Sequence, residues 1–180
     1  MPQVITATLD KDWFGTPVSE KPTFELRLER DALLLSVTVS KAPLCVAEDG
    51  GAYTAGLWQG DCAELFLINP DNGVYLEVNL SPRGGWWTCA FSAPRVNLPE
   101  EPLPLTGVIT TGVSVGDEWL ASIRIPVTSL PKALQFDPAK TRGNVTFCLG
   151  NDPQRYMTFA DLGGGTPDFH RPQRWVPLFA

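Results

Sequence analysis

Apolar side chains recur at every second position along most of the chain, and Gly, Pro, Asn and Asp break the pattern at short intervals. Successive side chains of a strand point to opposite faces, so this period belongs to strands with one buried face, joined by tight turns. Residues 24–29 alternate strictly: Phe24, Leu26 and Leu28 form an apolar face, and Glu25, Arg27 and Glu29 a charged one. A second run, 32–39, follows across Arg30 and Asp31, the spacing of a hairpin. The same reasoning predicts strands at 62–68, 74–80, 85–91, 107–115, 119–125, 144–150, 155–159 and 174–178. The turn chemistry lies at 69–73 and 115–118, and a helical turn is predicted after Pro126, at 127–130. About ten short strands and almost no helix predict an all-β fold, an antiparallel two-sheet β-sandwich of the jelly-roll or immunoglobulin-like kind.

The 180 residues fit one domain spanning 1–180. The proline-rich stretches 91–106 and 131–144 resemble linkers, but Val96, Leu98, Leu103 and Leu105 are spaced to fold the first of them back onto a sheet. A chain of this length buries roughly 70% of its unfolded surface, so the core needs no staple. The four cysteines, Cys45, Cys62, Cys89 and Cys148, are scattered and share the chain with a single histidine, which argues against a structural zinc. The first ten residues show neither a basic nor an apolar signal region, and no run approaches a membrane span. The expectation is a soluble, cytoplasmic protein with reduced thiols. A net charge of -6 without a Lys/Arg cluster gives no source of attraction for nucleic acid or for an anionic membrane. Neutral ligands fit this charge best.

Candidate chemistry concentrates at 57–68, where Trp58 and two carboxylates, Asp61 and Glu64, stand at the mouth of an apolar strand. An indole covers an apolar sugar face and a carboxylate accepts hydroxyl hydrogen bonds. Glu64 shares a strand face with Phe66 and Ile68, an expensive place for an unpaired charge, so it needs an arginine or a ligand. On the next strand Tyr75, Glu77 and Asn79 form a polar row, either a groove wall or a solvated outer face. Arg124 is a candidate partner for Glu64 or Glu77, with structural ion pairing as its plainer role. Trp86 and Trp87 must point to opposite faces, so at most one belongs to the core; Trp86 is carried as the candidate sugar platform. Trp58 could equally cap the sandwich. Asp61 and Glu64, three positions apart, face opposite ways and make a poor glycosidase pair. No nucleophile elbow or phosphate loop occurs, and Gly163, Gly164 and Gly165 predict a mobile surface loop.

Four segments in order, Trp58-x-x-Asp61-x-x-Glu64-Leu65-Phe66-Leu67, Tyr75-Leu76-Glu77-Val78-Asn79-Leu80-Ser81-Pro82-x-Gly84, Trp119-x-x-x-Ile123-x-Ile125-Pro126 and Asp168-Phe169-His170-x-Pro172, carry a resemblance. Together they resemble the DOMON-like group that contains the family 9 carbohydrate-binding modules. The resemblance implies a non-catalytic sandwich that holds its ligand on a sheet face or edge, a saccharide or similar neutral small molecule. It implies an aromatic before the Asp-x-x-Glu motif, matched by Trp58, and an acid matched by Glu64. A second aromatic near the C-terminus closes on the sugar, for which Trp175 and Phe169 are both candidates. The ligand-binding set is therefore Trp58, Glu64, Glu77, Asn79, Trp86, Phe169 and Trp175, with no catalytic residue. No cofactor is expected, although some relatives hold a structural calcium in a loop. Others hold haem between a methionine and a histidine, which here would require Met157 and His170. A protein-interaction module, with the Trp-rich surface meeting a partner chain, is the third alternative.

Overall fold

The structure, a computed structural model, describes residues 3–46, 50–99 and 104–179, so Leu103 lies outside the described residues. In chain order the strands are β1 Gln3–Thr8, β2 Thr23–Leu28, β3 Ala32–Val39, β4 Cys62–Ile68, β5 Tyr75–Leu80 and β6 Trp86–Ala93. They continue with β7 Val96–Asn97, β8 Ile109–Val115, β9 Glu118–Pro126, β10 Arg142–Leu149, β11 Arg155–Thr158 and β12 Val176–Pro177. One sheet has five strands in the order β1-β2-β3-β9-β8; the other has seven, with β11-β10-β4-β5-β6-β7 in a row and β12 beside β10. Neighbouring strands run antiparallel, as the hairpin spacing of β2 and β3 implies.

The period-two pattern explains how the sheets stack. Phe24 and Leu26 of β2, Leu33, Leu35 and Val37 of β3, and Trp119, Ala121 and Ile123 of β9 meet Ala63, Leu65 and Leu67 of β4 and Leu76, Val78 and Leu80 of β5 in one core. β4 and β5 are also buried on their second face. There Phe66, Tyr75, Cys89 and Phe91 pack under Ala160, Leu162, Phe169 and Trp175. The seven-stranded sheet is thus covered on one side by the other sheet and on the other by the C-terminal segment 160–175.

All ten predicted strands are present, with ends shifted by up to two residues. The pattern misses β1, whose alternation is diluted by exposure at the sheet edge, and the two-residue β7. The turn after Pro126 is a 3-10 turn at Val127–Ser129, and further ones lie at Leu57–Gln59, Lys132–Leu134 and Pro172–Arg174. The proline-rich stretch returns Leu98 and Leu105 to the main core while leaving Val96 exposed.

Candidate ligand cavity

The outward face of the seven-stranded sheet is the floor of a cavity of about 610 Å³. Register places the acids there: Glu64 of β4 lies opposite Asn79 of β5 and Thr146 of β10, and Glu77 lies opposite Phe66. Trp87, Phe91 and Tyr156 line the same cavity from β6 and β11, Trp58 from the 3-10 turn before β4, and residues 166–170 from the C-terminal segment. Trp58 is 50% exposed, which leaves much of its ring free for a ligand.

Glu64 and Glu77 are 5% and 6% exposed. Burial pushes both carboxyls well above the usual carboxylate range, and the neighbouring Glu77 charge raises Glu64 further. The Thr146 hydroxyl opposes this by donating to Glu64 Oε2 at 3.0 Å. Asn79 is wholly buried between the acids, and no partner meets hydrogen-bond geometry for its amide, although its closeness still favours ionised Glu77.

His170 lies beside Glu77, with Nε2 3.6 Å from Oε2, longer than a hydrogen bond. The Tyr75 hydroxyl accepts the Arg95 backbone N–H at 3.1 Å and shares a hydrogen bond with His170 Nδ1, 2.7 Å away. Burial and the Arg95 charge lower the His170 pKa to about 4, so the ring is neutral at physiological pH. Arg95 pairs at 2.8 Å with Asp168, which also accepts the His170 backbone N–H at 3.1 Å. Against the burial that would raise it, these contacts hold the Asp168 carboxyl below its usual value.

The surrounding loops are tied to the sheet. The buried Asp61 carboxylate accepts the N–H groups of Leu44 at 2.8 Å and Gly150 at 2.7 Å and binds the Lys41 ammonium. Gln154 donates to the carbonyls of Trp58 at 2.7 Å and Gly150 at 3.1 Å. On the far side Trp13 Nε1 donates to the Gly165 carbonyl at 2.7 Å, and Arg171, lying over the Trp13 ring, donates to the carbonyls of Leu162, Gly164 and Thr166. The triple-glycine segment expected to be a mobile loop is therefore held at several carbonyls.

Of the candidate residues, Trp58, Glu64, Glu77 and Phe169 line the cavity, and Asn79 lies in its floor. Trp175 does not line it; wholly buried, it supports the wall from behind, with ring centroids 5.1 Å from Phe66 and 5.2 Å from Tyr75. Trp86 needs correction. It stands opposite Leu80 on the core face, edge-on to Tyr53, whereas Trp87 stands opposite Asn79 and lines the cavity. Both faces of β6 carry apolar residues, so alternation alone gives no sign of which indole points out. Arg124 does not reach Glu64 or Glu77: it lies in the other sheet and pairs with Glu29 and Asp31, the structural ion pairing that was its plainer role. Sequence reasoning missed Arg95, Tyr156 and Gln154, which come from segments with no shared pattern, and Trp87, whose place opposite Asn79 no local alternation marks. Met157 and His170 do not meet, because Met157 belongs to the core between the sheets and His170 to the outer face. Among the described residues no group of three His, Cys, Asp or Glu side chains could hold a metal ion, and no helix is long and apolar enough to cross a membrane.

No known family profile matches the chain. It is 28% identical to the UPF0462 protein C4orf33 homolog of Mus musculus, over 94% of this chain and 88% of that protein. It is 26% identical to human UPF0462 protein C4orf33, over 90% and 81%. Among solved structures, a proposed carbohydrate-binding protein of Bacteroides uniformis superposes with a TM-score of 0.67 at 15% identity, covering 96% of this chain and 84% of that one. A family 9 carbohydrate-binding module of Caldicellulosiruptor kristjanssonii in complex with cellotriose gives 0.60 at 14% identity, covering 98% and 80%. The same organism's family 9 module in complex with glucose gives 0.56 at 15% identity, covering 92% and 76%. The chain has the fold of a family 9 carbohydrate-binding module.

Proposed function

We propose that this chain is a non-catalytic, DOMON-like module that binds a saccharide in the cavity on the outer face of its seven-stranded sheet. The observation that carries this reading is a half-exposed Trp58 standing with Trp87 and Tyr156 around a floor of two buried carboxyls. Aromatic faces cover the C–H faces of a sugar ring, while Glu64, Glu77 and Asn79 offer the polar groups its hydroxyls require. The volume falls within the range of small-molecule sites. The likeness in fold to modules solved with cellotriose and glucose supports the same assignment. A non-catalytic role is supported by the likeness in fold to carbohydrate-binding modules.

Titration calorimetry with glucose and cellotriose tests the reading. Both should bind, and Trp58→Ala should weaken binding about tenfold, the loss of ~1.4 kcal/mol of ring stacking, without lowering the melting temperature. Unchanged affinity in that variant, or no binding of either sugar by the native chain, removes the proposal.

A further inference from the structure

The cavity floor holds acids without a cation. Glu64 accepts one neutral hydroxyl, from Thr146, and the basic side chain nearest Glu77 is His170, which burial and the Arg95 charge keep neutral. No cation pairs with either acid: Arg95 lines the cavity and its charge reaches both, but it pairs with Asp168 and is mostly exposed, Lys41 binds Asp61, and Arg124 belongs to the other sheet. Asn79, wholly buried between the acids, has no partner in hydrogen-bond geometry for either amide atom. A buried polar group without a partner is costly, so this set points to a ligand that completes it.

Two features show what that ligand carries. The walls are aromatic, with Trp58, Trp87, Tyr156 and Phe169 presenting ring surfaces to the cavity, and aromatic faces attract cations as well as sugar C–H groups. The net charge of -6 favours the approach of a positive guest. A neutral sugar would satisfy the carboxyls only by taking hydroxyl hydrogen bonds, whereas an ammonium supplies three donors and the missing charge.

Resting on the saccharide reading above, we propose that the cavity selects an amino sugar, its protonated amine held at Glu64 and Glu77 while the ring lies against the aromatic walls. The acids' preference for their neutral form in the empty cavity agrees with this, because it reflects burial that the more distant Arg95 charge only partly offsets.

The test is calorimetric titration of the full chain at neutral pH with glucosamine, glucose and N-acetylglucosamine, which compare an amine, a hydroxyl and a neutral amide at one ring position. Glucosamine should bind at least about tenfold more tightly than the other two, the scale of a charge-assisted contact. Glu77→Gln and, independently, Glu64→Gln should bring the ratio of glucosamine to glucose affinity close to one. Each swap keeps side-chain shape and removes the group that would ionise against the amine, and circular dichroism should show an unchanged fold. Glucose binding as tightly as glucosamine overturns the amino-sugar proposal and leaves the saccharide reading standing. A glucosamine preference that survives both substitutions also overturns it. Binding of none of the three sugars, nor of cellotriose, removes the saccharide reading itself.

Discussion

Glu64 and Glu77 couple the stability of the protein to pH in the direction opposite to most carboxylates. Their folded-state pKa values are raised above an unfolded value near 4.5, so their contribution is fully present below about pH 4.5. It is lost as the pH rises through the folded value, about 8 for Glu64, because the unfolded chain ionises first. Other acids, such as Asp168, shift the other way, so the effect is isolated by comparing variants. The melting temperatures of Glu64→Gln and Glu77→Gln, measured against the native chain, should gain from about pH 4.5 and level off above the folded values, about 8 for Glu64 and about 7 for Glu77. A difference that stays flat across that range means the carboxyls are not desolvated as described. Part of this was legible in the sequence: alternation assigns Glu64 to the face of Phe66 and Glu77 to the face of Tyr75 and Asn79, where the structure places them. The partner was not legible. Glu64 meets the hydroxyl of Thr146, 82 residues away in sequence, and no local pattern marks a threonine as the donor.

Strands as units show where periodicity is informative and where it fails. An alternating run fixes which side chains share a face, so β2, β3 and β9 follow from their apolar positions. It does not fix pairing: β3 lies between β2, its hairpin partner, and β9, which arrives some eighty residues later with Ile123 opposite Leu35. Where both faces are buried, as in β4 and β5, or both apolar, as in β6, the orientation signal vanishes, and this is why Trp86 and Trp87 exchange roles. Contact between the two sheets at one end depends on a glycine. A Cβ on Gly112 of β8 would stand 2.4 Å from the Pro82 carbonyl oxygen in the turn between β5 and β6, with rigid backbone on that side. Gly112→Val should therefore cost about 2 kcal/mol and lower the melting temperature by several degrees. An unchanged melting curve would mean that turn and strand do not touch.

At the level of the whole molecule, the cavity exists because the seven-stranded sheet is covered twice, by the five-stranded sheet and by the C-terminal segment. The second cover has little regular structure and is held by few groups, Arg171 foremost with its donation to three carbonyls and its place over Trp13. Arg171→Ala should speed proteolytic cleavage within residues 161–170 and weaken ligand binding while leaving the two sheets folded. Limited proteolysis followed by mass spectrometry checks this, and a cleavage rate equal to that of the native chain would show that the segment is fastened elsewhere. This cover was the least legible part of the molecule, since Gly163, Gly164 and Gly165 carry no side chains and the groups that restrain them lie at positions 13 and 171. The opposite rim is fastened differently. Asp61, one residue before β4, gathers Lys41, Leu44 and Gly150 on a single carboxylate, and Gln154 links the backbone of Trp58 to the same corner. Chain segments a hundred residues apart are thereby anchored to the strand that carries Glu64. Walls fixed in this way are preorganised, so capture of the proposed guest would spend little conformational entropy on arranging the host.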